Sequence, residues 1–249
     1  MRRLVPGSDE VDLAEAYGRL DPHPSGRPGV RLNMIASADG ATALDGRSGG
    51  LAGPADRRLL VALRGLADVI LVGAGTLRAE GYGPARLRPE IRERRLAAGW
   101  TAVPPIAVVT RTARLDWSTR FFTEAVERPI VLTTAAAPDD ERGAAEKVAE
   151  VVVVGEEDVD LAVAMAALGT RGHRDVLAEG GPALGAGLAA AGVLDELCLT
   201  VAPLLVAGPS KRVLDGPVLG PPARLELAGV LEEDGYLFLR YRRRVSSTA

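Results

Sequence analysis

Apolar residues fall along this chain in short, uninterrupted runs separated by polar stretches of helical period. Residues 30–37, 68–73, 106–110, 130–133, 151–154 and 175–178 read as strands, and their predominantly apolar runs alternating with helices predict a mainly parallel sheet covered on both sides. Between them, residues 54–66 form a helix opened by Pro54, with Leu59, Leu60 and Leu63 on one face. Further helices are predicted near residues 139–149, over 158–169 and from Pro182, and another strand follows from Asp195. An amphipathic helix over 11–20, capped by Ser8 or Asp9, precedes a Pro/Gly-rich connection at 21–29. Residues 86–98 read as a charged helical insertion presenting a solvated face. The end of the chain changes period. Residues 225–231 and 236–242 alternate and flank Glu232-Glu233-Asp234-Gly235, the pattern of a hairpin with an Asp-Gly turn. The expected architecture is α/β, a mostly parallel central sheet with an antiparallel C-terminal hairpin. Residues 1–29 form an N-terminal extension and 30–249 a single domain.

Composition narrows the function classes. Hydrophobic residues make up 47% and charged residues 25% of 249, an ordinary globular balance. The net charge of −3 offers no basic field for a nucleic-acid backbone, and 4% aromatics offer few stacking platforms. The single cysteine, Cys198, lies in an apolar run and reads as a small buried hydrophobe. With it, only His23 and His173 are available, so no Cys/His zinc site is expected, and both histidines read as surface residues. The first residues turn acidic where a signal peptide needs an apolar core, and no run approaches a membrane span. The expected location is the cytoplasm.

Four stretches at strand ends carry candidate chemistry. Residues 176–206 begin with a strand that runs into Glu179-Gly180-Gly181, and Pro182 opens a small-residue helix. Glycines there let a ligand approach the backbone, and free N–H groups at the helix start favour a phosphate. Glu179 serves either as a reacting carboxylate or as a helix cap. A second strand ends in Gly73-Ala74-Gly75-Thr76, suited to a pyrophosphate but lacking the third glycine of the dinucleotide fingerprint. Ser37-Ala38-Asp39-Gly40 closes the first strand and is either a simple turn or the start of a mobile flap, with Asp45, Arg47 and Ser48 behind it. Thr110-Arg111-Thr112 ends a fourth strand, either as a solvated end or as a seat for the 2′-phosphate that distinguishes NADPH from NADH. All four lie at carboxyl ends of predicted parallel strands, where ligands of open α/β sheets bind.

In their order and spacing these stretches resemble the pyrimidine reductase family of riboflavin biosynthesis, whose fold is dihydrofolate-reductase-like. The carrying residues are Ser37 to Gly40, Ser48, Arg64, Thr76, Thr110 to Thr112, Glu179 to Gly181, and Asp195-Glu196-Leu197 through Ala202-Pro203. The chain departs from the family pattern at Ala38, usually Leu, and at Glu80, usually Asp. The resemblance implies a three-layer sandwich and NADPH-dependent reduction of 5-amino-6-(5-phosphoribosylamino)uracil to its ribityl form. It implies NADPH contacts at Ile35, Gly73, Gly75, Thr76, Glu80, Thr110, Arg111 and Thr112, and along Gly180, Gly181, Pro182, Ala183 and Leu184 as far as Gly187. Ser48 and Arg64 would hold the substrate, the Arg at its phosphate, with Arg86 or Arg88 completing that grip. Glu179 or Asp39 would supply or relay a proton. A homodimer is also implied, with the hairpin as candidate contact because an open antiparallel edge needs protection. Two other readings stand beside this one: a dihydrofolate or pterin reductase on the same fold, and a non-catalytic NADPH-binding sensor.

Overall fold

The computed structural model describes residues 1–5 and 10–244. Among the described residues, ten strands form one sheet: β1 (Arg2–Val5), β2 (Gly29–Ser37), β3 (Val69–Gly73), β4 (Ile106–Val109), β5 (Ile130–Thr133), β6 (Glu150–Val153), β7 (Asp175–Ala178), β8 (Glu196–Ala202), β9 (Leu225–Glu233) and β10 (Tyr236–Arg243). Their order across the sheet is β1-β9-β10-β8-β2-β7-β3-β4-β5-β6. From β8 to β6 every neighbouring pair is parallel, whereas β8, β10, β9 and β1 pair antiparallel. The helices are α1 (Leu13–Tyr17), α2 (Pro54–Leu66), α3 (Ala74–Glu80), α4 (Pro89–Ala97), α5 (Arg120–Thr123), α6 (Asp139–Glu146), α7 (Leu161–Thr170) and α8 (Pro182–Ala190).

The period of two in each strand sorts side chains onto two helical layers. On β7, Val176 and Ala178 pack with Met165, Leu168 and Leu188 of α7 and α8, while Leu177 packs with Leu59 and Leu63 of α2. On β3, Val69 and Leu71 join the α7–α8 side, and Ile70 and Val72 join Leu77, Phe121 and Phe122 on the other. This is a three-layer α/β sandwich with an antiparallel C-terminal section, as the resemblance implied. Because β2, β3, β4, β7 and β8 run in one direction, their carboxyl ends share one edge of the sheet.

Local chemistry explains where elements start and stop. Pro54 occupies the first turn of α2, and Arg64 lies in its last turn, where the helix dipole favours a cation. Asp160 caps α7, accepting from the amides of Ala162 and Val163 at 2.8 and 3.0 Å, so that helix begins at Leu161 rather than near residue 158. In the β9–β10 turn both Asp234 (φ 53°) and Gly235 (φ 79°) take positive φ, as a tight hairpin turn requires. The charged insertion is helical only over Pro89–Ala97. The first helix is shorter than the 11–20 expected: Asp12 caps it, accepting from the Glu15 amide at 3.1 Å, and it ends at Gly18. The caps expected at Ser8 or Asp9 lie outside the described residues.

Residues ahead of β2 are built onto the sheet. β1, which the hydrophobic pattern did not predict, pairs with Val230–Glu232 of β9. The hairpin therefore sits inside the sheet order and part of its edge is already covered, which removes the unprotected-edge argument there; Leu225 and Leu227 remain about half-exposed. Arg27 makes a bidentate pair with Asp195 at 2.7 Å to each oxygen. Beneath α1 lies a buried ionic network. The Glu196 carboxylate, fully enclosed, accepts from Arg31 Nε at 2.5 Å and Arg240 Nε at 2.8 Å. Burial acts against its charge, but the two arginines outweigh it and hold its pKa below the usual carboxylate range. Arg31 also donates to the Gly18 carbonyl at 3.1 Å and Arg240 to the Ala16 carbonyl at 2.8 Å, so the network fastens α1 to β2, β8 and β10.

Candidate active site

Two strand-to-helix turns meet at the shared carboxyl edge. The Gly73 amide, ending β3, donates to the Gly180 carbonyl beyond β7 at 3.0 Å. Gly180 has φ +89°, and a Cβ on Gly181 would stand 2.8 Å from Thr76 Oγ1, so side chains there would fill the groove between the turns. Gly73 and Gly181 are the N-caps of α3 and α8, and neither helix start is capped by a side chain. The early α8 amides are thus left to a ligand, and that end of the helix favours an anion. Glycines further along α8 serve another purpose: a Cβ on Gly185 would press Leu32 and Leu214, and one on Gly187 would press Leu161. Leu184 is buried in the core, so only its backbone faces the groove, whereas Ala183 is exposed. A Cβ on Gly75 would meet nothing within 4 Å, so crowding does not require glycine there.

Glu179 stands beside this groove, held from two directions. Arg64 donates from Nε to Oε1 and from Nη2 to Oε2, each at 2.7 Å. The Tyr82 hydroxyl also donates to Oε2, and Arg64 Nη2 lies 2.9 Å from it. The Glu179 side chain is only 6% exposed. Burial disfavours charge on Arg64, but Glu179 and Tyr82 outweigh it and raise its pKa, so the guanidinium stays charged. Burial, then the Glu179 charge, push the Tyr82 phenol well above its ordinary value, so it stays protonated. With both oxygens accepting, Glu179 is arranged as a fixed acceptor and has no proton to give in this geometry.

The other expected residues form separate clasps. Glu80 Oε1 accepts from the Ser48 amide at 2.8 Å and the Ser48 hydroxyl at 2.9 Å, pinning the loop after β2 to the end of α3. Asp39 accepts from the Ser37 hydroxyl and from the Ala207 amide at 2.7 Å. The Ser37 bond, then the Ala207 amide, hold the Asp39 pKa below the usual carboxylate range, the opposite of what a proton donor needs at neutral pH. Ile35 is buried with Leu51 and Ala202 under the same loop. Thr110 is buried, its amide spent on the Leu132 carbonyl at 3.0 Å. Arg111 is exposed and only loosely paired with Asp158 at 3.5 Å; Thr112 Oγ1 accepts weakly from the Arg114 amide at 3.5 Å. Arg86 and Arg88 are exposed and paired with Glu124 and Glu90. Cys198 is buried, as expected, and burial raises its thiol pKa. His173 is half-buried rather than a plain surface residue, and burial lowers its pKa.

Tyr82 is the residue that motif reasoning missed. Because Tyr82 orients Glu179 through one hydrogen bond, Tyr82→Phe is expected to lower kcat about five- to thirty-fold while leaving the KM for the reduced cofactor unchanged. Since the phenol does not ionise near neutrality, the pH profile should keep its shape. Steady-state kinetics of the variant across pH check both points.

A glycine-lined groove at the carboxyl edge of a parallel sheet, with a buried carboxylate fixed beside it, is the place where enzymes built on open α/β sheets bind their ligands. The chain belongs to the RibD C-terminal domain family, whose sequence profile matches residues 28–235. It is 30% identical over 219 residues to the 2,5-diamino-6-ribosylamino-4(3H)-pyrimidinone 5′-phosphate reductase of Archaeoglobus fulgidus, spanning 87% of this chain and 100% of that one. The enzyme of the same name from Methanothermobacter thermautotrophicus is 32% identical over 206 residues, covering 81% of this chain and 91% of the relative. Among solved structures, a pyrimidine reductase-like protein of Corynebacterium diphtheriae superposes with a TM-score of 0.81 at 28% identity, covering 94% of this chain and 99% of that one. The chain is a reductase of this family. Among the described residues, no helix is long and apolar enough to cross a membrane, and no cluster of three or more His, Cys, Asp or Glu side chains is placed to hold a metal ion.

Proposed function

We propose that the chain reduces a 6-(5-phosphoribosylamino)pyrimidine with NADPH, forming the ribitylamino compound. The observation that carries this reading is the bidentate Arg64–Glu179 pair, joined by Tyr82, immediately beside the Gly73 and Gly180-Gly181 cradle. The cradle fits a dinucleotide: Gly73, Thr76, Gly180 and Gly181 leave room for a pyrophosphate against the start of α8, and exposed Arg111 is available to a 2′-phosphate. When bound there, NADPH supplies a hydride.

The chain's residues supply the setting. The open-chain sugar presents an imine carbon, which accepts hydride more readily when its nitrogen is protonated. Glu179, held as an acceptor by Arg64 and Tyr82, is a preorganised negative group against which that protonated imine is stabilised. The proton then comes from water rather than from Asp39, which is committed to the loop at Val206 and Ala207. Ser48 lies on the loop closed by Glu80 and faces the substrate side in this reading. Arg64 keeps only Nη1 for the substrate phosphate, so that grip is shared with a second cation, Arg86 or Arg88.

The substrate of this reading is 5-amino-6-(5-phosphoribosylamino)uracil. The second reading is the 2,5-diamino pyrimidinone for which the two archaeal relatives are named, favoured by their match along most of the chain. Offering the two pyrimidines and dihydrofolate separately, and following NADPH oxidation, tests the proposal. Turnover of either phosphoribosyl compound without dihydrofolate turnover is expected. Turnover of dihydrofolate alone would make the protein a pterin reductase, and NADPH binding with no turnover would make it a sensor.

A further inference from the structure

One buried carboxylate has no part in the site described so far. Asp56 sits in the first turn of α2, on the face that buries Leu59 and Leu63 against the sheet, and is 7% exposed. An acid on such a face is costly unless donors surround it. Glu196 and Glu179 are each held by arginine, whereas among the described residues Asp56 has no salt-bridge partner. Burial raises its pKa, and the Thr200 hydroxyl on β8 and the Arg57 charge offset this only in part. Neither of its oxygens is among the sealed-off polar atoms of this patch, which are Asn33 Oδ1 and Thr200 Oγ1. The carboxylate therefore keeps open space before it.

Strand register sets Asp56 across from Glu179. Thr200 pairs with Ile35 of β2, and Cys198 with Asn33. On the other side of β2 the last pair is Leu32 with Ala178, so Glu179 follows beside Asn33. Cys198 and Leu177 pack with Leu59 and Leu63, and the period of two puts Thr200, Asn33 and Glu179 on that same face. Thr200 and Glu179 are two strands apart, roughly 10–12 Å, with Asn33 between them. A carboxylate thus stands at each end of the gap, Asp56 at the Thr200 end.

We propose that Asp56 reads the C2–N3 edge of the pyrimidine and selects a 2-amino ring over a 2-oxo ring. This rests on the reduction proposed above and concerns only which of its two rings is preferred. N3 lies directly across the ring from C6, which carries the ribosylamino group. A substrate whose sugar carbon is beside Glu179 therefore turns this edge toward Asp56. The 4(3H)-pyrimidinone for which the archaeal relatives are named presents N3–H and a 2-amino group side by side, two donors for two oxygens. The uracil presents the same N3–H beside a C2 carbonyl, whose lone pairs face a carboxylate oxygen. It stays a substrate, the poorer one.

The test is the ratio of kcat/KM for the 2,5-diamino compound to that for the uracil, at saturating NADPH. The wild-type ratio should be about ten or more. In Asp56→Asn the amide accepts from N3–H and donates to the C2 carbonyl, so the ratio should fall about ten- to a hundredfold. Damage to the fold would instead lower both rates and leave the ratio alone. A wild-type ratio of one or below, or a ratio unmoved in Asp56→Asn, overturns the role of Asp56 while the proposed reduction stands; failure to reduce either compound overturns both. Should Asp56→Asn not fold, inhibition of the wild type by 2,5,6-triamino-4-pyrimidinone and by 5,6-diaminouracil replaces it. The triamino compound should inhibit at about tenfold lower concentration, and equal inhibition would sink the inference.

Discussion

Glu179→Gln is expected to lower the rate of reduction by about a hundred- to thousand-fold, the usual effect of losing one preorganised charged group at a reacting centre. In the proposed reading the reduced cofactor binds as tightly as before, because the cradle assigned to it there comprises Gly73, Thr76, Gly180 and Gly181 and not the carboxylate. Gln keeps the shape and one acceptor for Arg64, so the loss isolates charge from packing. It also leaves the Arg64 guanidinium facing a neutral partner in a mostly buried site, where the side chain is 17% exposed, so a lower melting temperature is expected alongside. Single-turnover rates at saturating cofactor, together with cofactor titration, separate the two effects. A rate within a few-fold of wild type would remove Glu179 from the chemistry.

The second large effect is on stability. Glu196→Gln should destabilise the fold by about 3–5 kcal/mol, because it leaves the enclosed Arg31 and Arg240 guanidinium groups without their shared counter-charge. For a chain of this size each kcal/mol shifts Tm by roughly 2–4 °C, so thermal unfolding should move by ten degrees or so. α1 should loosen first, since it is fastened through the carbonyls of Ala16 and Gly18 to those same arginines. Chemical denaturation and amide exchange measure both. Glu124→Gln, in an exposed pair with Arg120, is the control and should leave unfolding unchanged.

Much of this architecture is written locally. β3 and β5 are apolar runs bounded by turn residues, α2 and α8 announce themselves with Pro54 and Pro182, and Asp234-Gly235 specifies its own turn. Four strand ends could be placed on one edge because parallel topology follows from strands apolar on both sides. What could not be read is what depends on pairing across the chain. Arg64 and Glu179 are 115 positions apart, and Arg31 and Glu196 are 165 apart; each residue alone looks like an ordinary helix or strand charge. Tyr82 follows Gly81 just beyond α3 and carries no motif; only the packing of α3 against β3, the strand paired with β7, brings its hydroxyl to Glu179. Ser48 and Glu80 were each expected at a ligand, and the structure instead closes them on one another. β1 escaped because four mostly exposed residues, two of them arginines, carry no strand signal by themselves; they become a strand by borrowing the open edge of β9.

The proposed function rests on a hydride reaching the sugar carbon held beside Glu179. The measurement that tests it most directly is mass spectrometry of the product formed from 5-amino-6-(5-phosphoribosylamino)uracil with NADPH deuterated at C4 of the nicotinamide. The account predicts one deuterium on C1′ of the ribityl chain with the proper stereoisomer of the cofactor, and its near-loss in Glu179→Gln. A ribityl product carrying no deuterium from either stereoisomer, or a deuterated cofactor that is consumed without forming the ribityl compound, would contradict it.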